Sequence, residues 1–312
     1  MPVLLLALLA APASAFAAWF PFAPYTDLAG WPPPNLAKMR TSGGIDRVTL
    51  GFVVAEGGTQ CTPAWGGYAT YPGAGAKAYR RNQIAAFQRA GGDVVVSFGG
   101  AAGSELASVC TTPGALAGAY RSVLDAYDAD HADFDVEGAA VADPVSNRRR
   151  AQAIATLQRE RRGLRIAYTL PVLPSGLDAN GRATVRAARR GGVRLDLVNV
   201  MAMDYGDSAA PQPEGRMGTY AIRAARSTAR QLGWSLRRIG VTPMIGINDV
   251  QTEVFTLADA RRLASWADTH HLGALSMWQT GRDVQCRQPT TSTSIDCSGV
   301  VQEPWAFARA LS

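Results

Sequence analysis

Histidine and closely spaced cysteine are scarce in this chain of 312 residues. It contains three histidines, and its four cysteines form no CxxC pair. Zinc sites in proteins are built from such residues at short spacings along the chain. The sequence therefore argues against a zinc site, and we expect neither a metal ion nor a cofactor.

Lysine is almost absent as well. Lys38 and Lys77 are the only lysines, so the net charge of +6, from 31 basic and 25 acidic side chains, is carried by arginine. The arginines stand singly or in pairs, and their longest run is Arg148–Arg150. Because a nucleic-acid-binding protein normally clusters its basic residues on one element, this scatter predicts solvated helix faces and no nucleic-acid partner.

The chain has no stretch of ~20 uninterrupted apolar residues, the length that a membrane-spanning helix requires. Its most apolar run, Val3–Ala11, is short, is ended by Pro12 and is followed by small residues. Although no lysine or arginine precedes it, this pattern is typical of a secretory signal peptide. We predict a signal peptide over residues 1–17, with cleavage after Ala15 or Ala17, and a soluble secreted protein without a membrane partner. A buried N-terminal helix is the alternative.

The cysteines are expected to pair, because an even number in an exported protein favours disulfides. Three pairings of the four cysteines are open on that count alone. Cys286 and Cys297 bracket a short stretch rich in threonine and serine, so a local bridge that closes this loop is the simplest choice. The pairing of Cys61 with Cys110 then follows by elimination.

Short apolar runs alternate with helix-like patterns along residues 18–312. Strands are predicted at Trp19–Tyr25, Arg47–Ala55, Asp93–Gly100, Ala132–Gly138, Arg165–Pro174, Leu195–Tyr205, Ile239–Asp249 and Gly273–Asp283. Helices are predicted between them at Lys77–Gly91, Thr112–Asp128, Ser146–Arg162, Tyr220–Gly233 and Thr256–His271. Eight nearly continuous apolar strands that alternate with helices predict an α/β fold, a single-domain (β/α)8 TIM barrel. A doubly wound sheet is the alternative, but no glycine-rich phosphate-binding turn follows an early strand.

The densest group of polar residues lies on the predicted fourth strand. Asp133, Asp135 and Glu137 alternate with apolar residues, so their side chains should share one face, with neighbouring Cα atoms ~6.6 Å apart. In a barrel mouth, repulsion and burial should raise the pKa of at least one acid, so that a protonated acid lies beside an ionised one. Glycoside cleavage uses such a pair. A solvated acidic edge and a metal site are the alternatives, and the apolar Phe134 and Val136 disfavour the first.

The spacing of these acids also resembles a motif of a known protein family. Preceded by Asp130, the spacing Asp133-x-Asp135-x-Glu137 resembles the DxxDxDxE signature of glycoside hydrolase family 18, the chitinases, although His131 replaces the usual glycine. The third predicted strand ends in a segment similar to the SxGG motif of that family, Ser97-Phe98-Gly99-Gly100.

Two further segments follow in the order that the family has. Met201–Tyr205 is similar to its MxYD motif, and Ser276–Trp278 ends on a tryptophan where the family places the floor of its sugar site. With Phe20–Tyr25 and Ile247–Asp249, the chain looks most like a bacterial and archaeal chitinase subgroup. The resemblance covers nearly the whole chain after the predicted signal peptide.

The resemblance implies a role for each acid. Glu137 would protonate the glycosidic oxygen as general acid and then activate water as base. Asp135 would orient the acetamido N–H of the substrate and stabilise the charge that develops there, while Asp133 would hold Asp135 in position. Asp204 would bind the acetamido group or adjust the acid, and the sugar ring would stack on Trp278.

One departure from the family is Met203, which stands in place of the tyrosine of MxYD. Because that tyrosine helps to hold the acetamido oxygen, Tyr205 or Asp249 is expected to supply part of the missing contact. Tyr25 is expected at the rim of the cleft, where it would line a sugar site or pack a loop. The residues expected to be structural are Ser97, Gly99 and Gly100.

The residues and the resemblance together predict a secreted, monomeric chitinase. It would act on chitin or chitooligosaccharides by retaining catalysis in which the 2-acetamido group of the substrate takes part. An endo-β-N-acetylglucosaminidase acting on N-glycans shares the same acids and differs in loop shape. A chitinase-like lectin would bind chitooligosaccharide without cleaving it, and loss of the acid that Glu137 provides would mark it.

Overall fold

The computed structural model of the chain describes residues 20–312, so the predicted signal peptide lies outside the described residues. The strands are β1 (Phe20–Phe22), β2 (Tyr25–Asp27), β3 (Arg47–Glu56), β4 (Gln60–Trp65), β5 (Asp93–Gly99), β6 (His131–Asp135), β7 (Arg165–Pro171), β8 (Leu197–Ala202), β9 (Ile239–Pro243), β10 (Gly246–Ile247), β11 (Val254–Phe255) and β12 (Ala274–Leu275). The α-helices are α1 (Leu36–Gly43), α2 (Arg81–Arg89), α3 (Leu106–Val109), α4 (Pro113–Ala126), α5 (Gly138–Ala142), α6 (Pro144–Glu160), α7 (Ala179–Arg190), α8 (Met217–Leu232), α9 (Leu257–His270) and α10 (Ala306–Leu311).

The parallel strands close into a barrel in the order β1-β12-β9-β8-β7-β6-β5-β3-β2. β1 and β2 are two halves of one strand, interrupted at Ala23–Pro24, where proline has no N–H to donate. This strand joins both edges of the sheet. The N–H of Ala23 donates to the Leu275 carbonyl (3.0 Å), and the Pro24 carbonyl accepts from Thr49 (2.9 Å). The predicted single-domain (β/α)8 TIM barrel is therefore confirmed.

The side chains inside the barrel form two layers of different chemistry. Near the amino ends of the strands the interior is filled by a small apolar cluster of Ala23, Val95, Ala167, Leu197 and Ala274. Two residues further along their strands, buried polar side chains face inward, among them Ser97, Thr169 and Asn199. The outward-facing residues of the strands pack against the helices in the main core. The fold thus supports a polar layer, near the carboxyl ends of the strands, on an apolar base.

Six of the eight predicted strands run further at their carboxyl ends than the observed strands, because pairing stops at the rim of the barrel. β6 ends at Asp135, and Glu137 follows as the N-terminal cap residue of α5. β8 ends at Ala202, since Asp204 adopts left-handed backbone angles with φ of 50°. β12 keeps only Ala274–Leu275.

The sequence patterns also miss some elements. β4 pairs antiparallel with β3 and forms a hairpin at the rim. α7 is the longest helix that was not predicted, and its buried residues are Gly181, Thr184, Val185 and Ala188. These residues and the arginines opposite them do follow a helical period, so the sequence contains a signal for α7 that the apolar pattern alone did not reveal.

Both predicted disulfides are present at the carboxyl end of the barrel. Cys61–Cys110 joins β4 to the end of α3 with Cα atoms 4.8 Å apart. Cys286–Cys297 closes the loop after β12 with Cα atoms 5.0 Å apart. Within residues 20–312, no helix has the length and apolar character needed to cross a membrane.

Candidate active site

Asp133, Asp135 and Glu137 lie together at the mouth of the barrel. Asp133 and Asp135 are residues of β6, and each is 3% exposed. The extended backbone of Glu137 (φ −127°, ψ 172°) continues the strand alternation by one step, so its half-buried carboxyl lies on the same side. A hydrogen bond joins the carboxyls of Asp135 and Glu137. The three acids therefore share one face, as the alternation predicts.

Asp133 is the deepest acid and accepts three side-chain hydrogen bonds. Its Oδ2 accepts from the Ser97 hydroxyl at 2.6 Å and from the Tyr25 hydroxyl at 2.9 Å. Its Oδ1 accepts from the Thr169 hydroxyl at 2.7 Å. Since the donors come from β5, β2 and β7, the carboxylate is fixed by strands of the barrel rather than by loops.

A further polar pair supports Thr169 from the next strands. Nδ2 of Asn199 donates to Oγ1 of Thr169 (3.0 Å) and to Oγ1 of Thr242 (2.7 Å). The threonine hydroxyl accepts from Asn199 and donates to Asp133, and its oxygen also lies 2.8 Å from the Tyr25 hydroxyl. The network thus continues through the barrel interior from β6 to β9.

Burial raises the pKa of each of the three acids. For Asp133 burial outweighs the three hydrogen bonds and raises the pKa to about 6. Burial, followed by the charges of Glu137 and Asp133, raises the pKa of Asp135 well above its ordinary value. Burial also raises the pKa of Glu137, although its hydrogen bond with Asp135 acts in the opposite direction. Burial thus favours the protonated form of each acid, and a hydrogen bond between the carboxyls of Asp135 and Glu137 requires a proton on one of them.

Two glycines at the end of β5 allow the chain to pass close to the acids. Gly99 has a φ of 106°, and a Cβ atom there would lie 2.0 Å from the Asp135 carbonyl oxygen. Gly100 has a φ of 91°, and its N–H donates to the same carbonyl at 2.9 Å. These two residues fix the backbone of Asp135, which is the structural role expected for them.

Three aromatic rings form a wall beside the acids. Trp278 is half-buried and stacks on Phe52, with ring centroids 5.5 Å apart and an interplanar angle of 24°. The Tyr25 ring lies 6.1 Å from Trp278 and 5.8 Å from Phe52. Because the hydroxyl of Tyr25 is bonded to Asp133, this residue links the aromatic wall to the acid network. The part of Trp278 that is open to the mouth offers a flat apolar face to a ligand.

The loops after β8 and β9 meet beside Glu137. Oδ1 of Asp204 accepts from the Val250 N–H at 2.9 Å, and its carboxylate also accepts from the N–H of Asp249. The negative charge of Asp204 also raises the pKa of Glu137, so Asp204 acts electrostatically on the acid. Asp249 is exposed. Burial lowers the pKa of the Arg282 guanidinium, and the negative charges of Asp249 and Asp204 act in the opposite direction.

Met203 and Tyr205 are placed differently from one another. Met203 is half-buried directly after β8. Tyr205 is 5% exposed and packs against Tyr220 of α8, with ring centroids 6.2 Å apart. The left-handed turn at Asp204 interrupts the strand alternation, so the Tyr205 ring lies in the core beneath α8. The structure does not bring it to the acids.

A cleft of about 1220 Å³ extends from Trp278 between the loops that follow the first and last barrel strands. Asp249 lines it, as do Trp31, which is 83% exposed, and the loop closed by Cys286–Cys297. Small-molecule pockets usually enclose ~300–1,000 Å³. This cleft is larger than that range, which suits an extended ligand.

The acid cluster does not have the make-up of a cation site. Across the described part of the chain, no group of three or more histidine, cysteine, aspartate or glutamate side chains is arranged to hold a metal ion. Asp133 is surrounded by hydroxyl donors, which satisfy a carboxylate and do not coordinate a cation while they donate.

Solved structures resemble this chain closely, although no family model matches its sequence. Active domain 2 of the chitinase from Pyrococcus furiosus superimposes with a TM-score of 0.82 at 33% sequence identity, and the match covers 93% of both chains. The chain belongs to the chitinases of glycoside hydrolase family 18. This family membership confirms the predicted enzyme class, a glycoside hydrolase. Catalytic-site mutants of the Pyrococcus domain have also been determined in complex with chito-oligosaccharides.

Two curated proteins also match this family 18 chain. The "Probable bifunctional chitinase/lysozyme" of Escherichia coli (strain K12) is 35% identical over 286 residues, covering 84% of this chain and 31% of that protein. "Endochitinase 11" of Metarhizium anisopliae is 35% identical over 283 residues, covering 84% of this chain and 52% of that protein. The chain therefore spans about a third and about half of the length of these relatives.

The sequence patterns miss four residues of this family 18 site: Phe52, Thr169, Asn199 and Thr242. The three polar ones share a signal that can be recognised in a sequence, since each is an isolated polar residue within an otherwise apolar strand. Phe52 has no such signal, because one more aromatic residue on a buried strand is indistinguishable from core.

Proposed function

We propose that this chain hydrolyses the β-1,4 linkages of chitin or chitooligosaccharides with retention of configuration, through attack by the 2-acetamido group of the substrate. Family 18 is among the glycosidases that use this route in place of an enzyme nucleophile. The observation that carries the proposal is the hydrogen-bonded pair Asp135–Glu137 at the barrel mouth, supported from below by Asp133. The chitinase names of the relatives and the chito-oligosaccharide complexes of the Pyrococcus domain support the substrate class.

Glu137 is the proposed general acid and base. Its carboxyl is the least buried of the three acids, and burial raises its pKa, which favours the protonated form that can donate to the glycosidic oxygen. Once the leaving group has departed, the same carboxylate would take a proton from the attacking water. A positioned acid of this kind contributes ~10²–10⁴-fold to the rate.

Asp135 is proposed to orient the acetamido group and to stabilise the positive charge that develops on it. Its hydrogen bond with Glu137 places it between the acid and Asp133. Asp133, held by three donors, would carry the compensating negative charge when the proton lies on Asp135. Tyr25 then acts through Asp133, and not as a direct substrate contact.

The substrate is proposed to stack on Trp278 and to reach the rim formed by the loops after β8 and β9. Asp204 acts electrostatically on Glu137 and is proposed to bind the acetamido group or to adjust the acid. Met203 and Asp249 lie on the same rim and are proposed to contact the substrate. The exposed Asp249 can supply part of the contact that Met203 lacks, whereas Tyr205 would first have to leave the core.

We also propose that the protein is secreted as a monomer, with residues 1–17 as the signal peptide and residues 18–312 as the catalytic barrel. The two disulfides support this location, because such bonds persist in oxidising compartments. N-terminal sequencing of the exported protein tests the cleavage after Ala15 or Ala17, and light scattering tests the monomer.

Incubation of the purified protein with chitohexaose and with an N-glycan tests the activity. We expect chitohexaose to be cut into shorter N-acetylglucosamine oligomers whose new reducing ends are first formed as the β-anomer. Release of the N-glycan without chitohexaose cleavage would instead identify an endo-β-N-acetylglucosaminidase. Binding without products would identify a lectin, and α-anomeric products would contradict the retaining mechanism.

A further inference from the structure

One contiguous segment of the chain, which folds onto one side of the barrel, is rich in arginine. Residues 144–194, which include α6, β7 and α7, contain twelve arginines and two acidic residues, and the rest of the chain has a net charge of −4. Some of these arginines are used within the fold. Arg150 is buried against Glu105, and Arg161 pairs with Asp125. Others face solvent on α6 and α7.

A groove of about 380 Å³ between α6 and α7 collects arginines without such partners. Arg148 of α6 and Arg186 and Arg190 of α7 line it, and all three are exposed. Its floor consists of small residues, among them Ala151, Ala187 and Gly191. None of the residues described as lining the groove is acidic, and these three arginines form no ion pair within residues 20–312.

The arrangement of charge on α7 does not serve the helix itself. Arg182, Arg186 and Arg190 follow one another at intervals of four residues, and the helix contains no acidic residue. Like charges at this spacing destabilise a helix by ~0.2–0.5 kcal/mol for each pair. Arg190 in the last turn is favoured by the helix dipole, but Arg186 in the middle of the helix is not. An external anion would offset this repulsion.

We propose that the groove between α6 and α7 binds an acidic polysaccharide, whose carboxylate or sulfate groups pair with Arg148, Arg186 and Arg190. Guanidinium groups bind such planar or multidentate anions with two parallel hydrogen bonds, and the small residues of the floor leave room for a sugar ring. No aromatic side chain is among the residues described as lining the groove, which disfavours single-stranded nucleic acid because its binding depends on base stacking.

The position of the groove connects it to the catalytic mouth. Its upper end is lined by Val141 and Ala142 of α5, the helix that begins directly after Glu137. A polymer held between α6 and α7 would therefore anchor the protein close to the end of the barrel where the cleft opens. This inference does not depend on the chitinase activity.

Binding to polygalacturonate, a carboxylated polysaccharide, tests the proposal. The triple variant R148Q/R186Q/R190Q is compared with R223Q/R261Q/R262Q, which removes three exposed arginines from α8 and α9 and so changes the net charge equally. We expect the Kd to rise about tenfold or more in the groove variant and less than about twofold in the control. A third variant, R148K/R186K/R190K, keeps the charge but loses the bidentate geometry and should bind with intermediate affinity. All variants should cleave chitohexaose at the wild-type rate, which also shows that they are folded.

Three results would overturn the proposal. An equal loss of affinity in the groove variant and the control would mean that only the net charge matters. Tighter binding of polydeoxythymidylate than of polygalacturonate would assign the groove to nucleic acid. Absence of polygalacturonate binding by the wild-type protein at low salt would leave the groove without the proposed ligand.

Discussion

The hydroxyl of Thr169 donates a 2.7 Å hydrogen bond to Oδ1 of Asp133 between neighbouring barrel strands. Asn199 donates to the same threonine oxygen, which also lies 2.8 Å from the Tyr25 hydroxyl. With Ser97 and Tyr25 on Oδ2, the deepest acid of the site has a donor on each side. The support for the reacting groups is therefore built into the strands, where the backbone ladder holds it in place.

Replacement of Thr169 by valine should impair catalysis through Asp133. The variant T169V keeps the shape of the side chain but removes one of three donors that favour the ionised carboxylate, so the pKa of Asp133 should rise further above about 6. If Asp133 must be ionised in the active form, the acid limb of the kcat/KM profile shifts to higher pH, by roughly one unit. The pH profile of chitohexaose hydrolysis measures this shift.

T169S is the matched control because it retains the hydroxyl. It should keep the wild-type pH profile, even if the missing methyl group lowers the Tm. An unchanged acid limb in T169V, together with wild-type kcat/KM, would remove Thr169 from the mechanism.

Replacement of Asp135 by asparagine should make the protein more stable at high pH and inactive. The folded-state pKa of Asp135 is raised, so its contribution to stability is fully present below the unfolded-state value of ~3.9 and is lost as pH rises through the folded-state value. The asparagine of D135N does not ionise, so this variant does not lose stability in that way as the pH rises. Its Tm should equal that of the wild type near pH 4 and exceed it by at least ~2 °C at pH 8.

Differential scanning calorimetry at several pH values measures the difference. D268N, which changes an exposed aspartate on α9, is the control and should show no pH-dependent gain. A D135N protein that is less stable than the wild type at pH 8 would contradict the burial argument.

The two disulfides should have separable effects. Cys286 and Cys297 are 11 residues apart and close a loop that lines the cleft, whereas Cys61 and Cys110 are 49 residues apart. In the chain-entropy account the longer loop stabilises more, ~4 kcal/mol against ~3 kcal/mol. The pair C286A/C297A should lower both kcat/KM and the Tm, and C61A/C110A should lower the Tm by about a third more. The opposite order of Tm losses would count against this division.

Substrates without an acetamido group should not be cut. Cellohexaose has the same linkage as chitohexaose but lacks the acetamido group that is proposed to attack the anomeric carbon. Without that group, and without an enzyme nucleophile, the reaction has no nucleophile for its first step. Mass spectrometry of both reactions under identical conditions measures this. Cleavage of cellohexaose that disappears in D135N would show that the acids work without substrate assistance.

The barrel and the positions of its acids can be predicted from the sequence because both depend on local patterns. The apolar runs mark the strands, and the alternation of Asp133, Asp135 and Glu137 holds even where Glu137 passes the end of β6. The same reasoning fails for Tyr205. One left-handed residue, Asp204, ends the alternation before it, and no sequence pattern marks that turn.

The hydrogen-bond donors that hold the acids cannot be predicted in the same way, because they come from strands that are distant in the sequence. Tyr25 and Thr169 meet at Asp133 only when β2 and β7 face each other across the closed barrel. A single threonine on an apolar strand is visible in the sequence, but its partner is not.

The measurement that tests the account most directly is the rate of chitohexaose hydrolysis by E137Q, with affinity determined in parallel. Glutamine matches glutamate in shape but cannot donate a carboxyl proton, so we expect the rate to fall by ~10²–10⁴-fold while oligosaccharide binding persists. E160Q, which removes an exposed glutamate that pairs with Arg121 on the helix layer, is the control and should retain full activity. Turnover by E137Q at a rate close to that of the wild type would contradict the assignment of Glu137 as the acid.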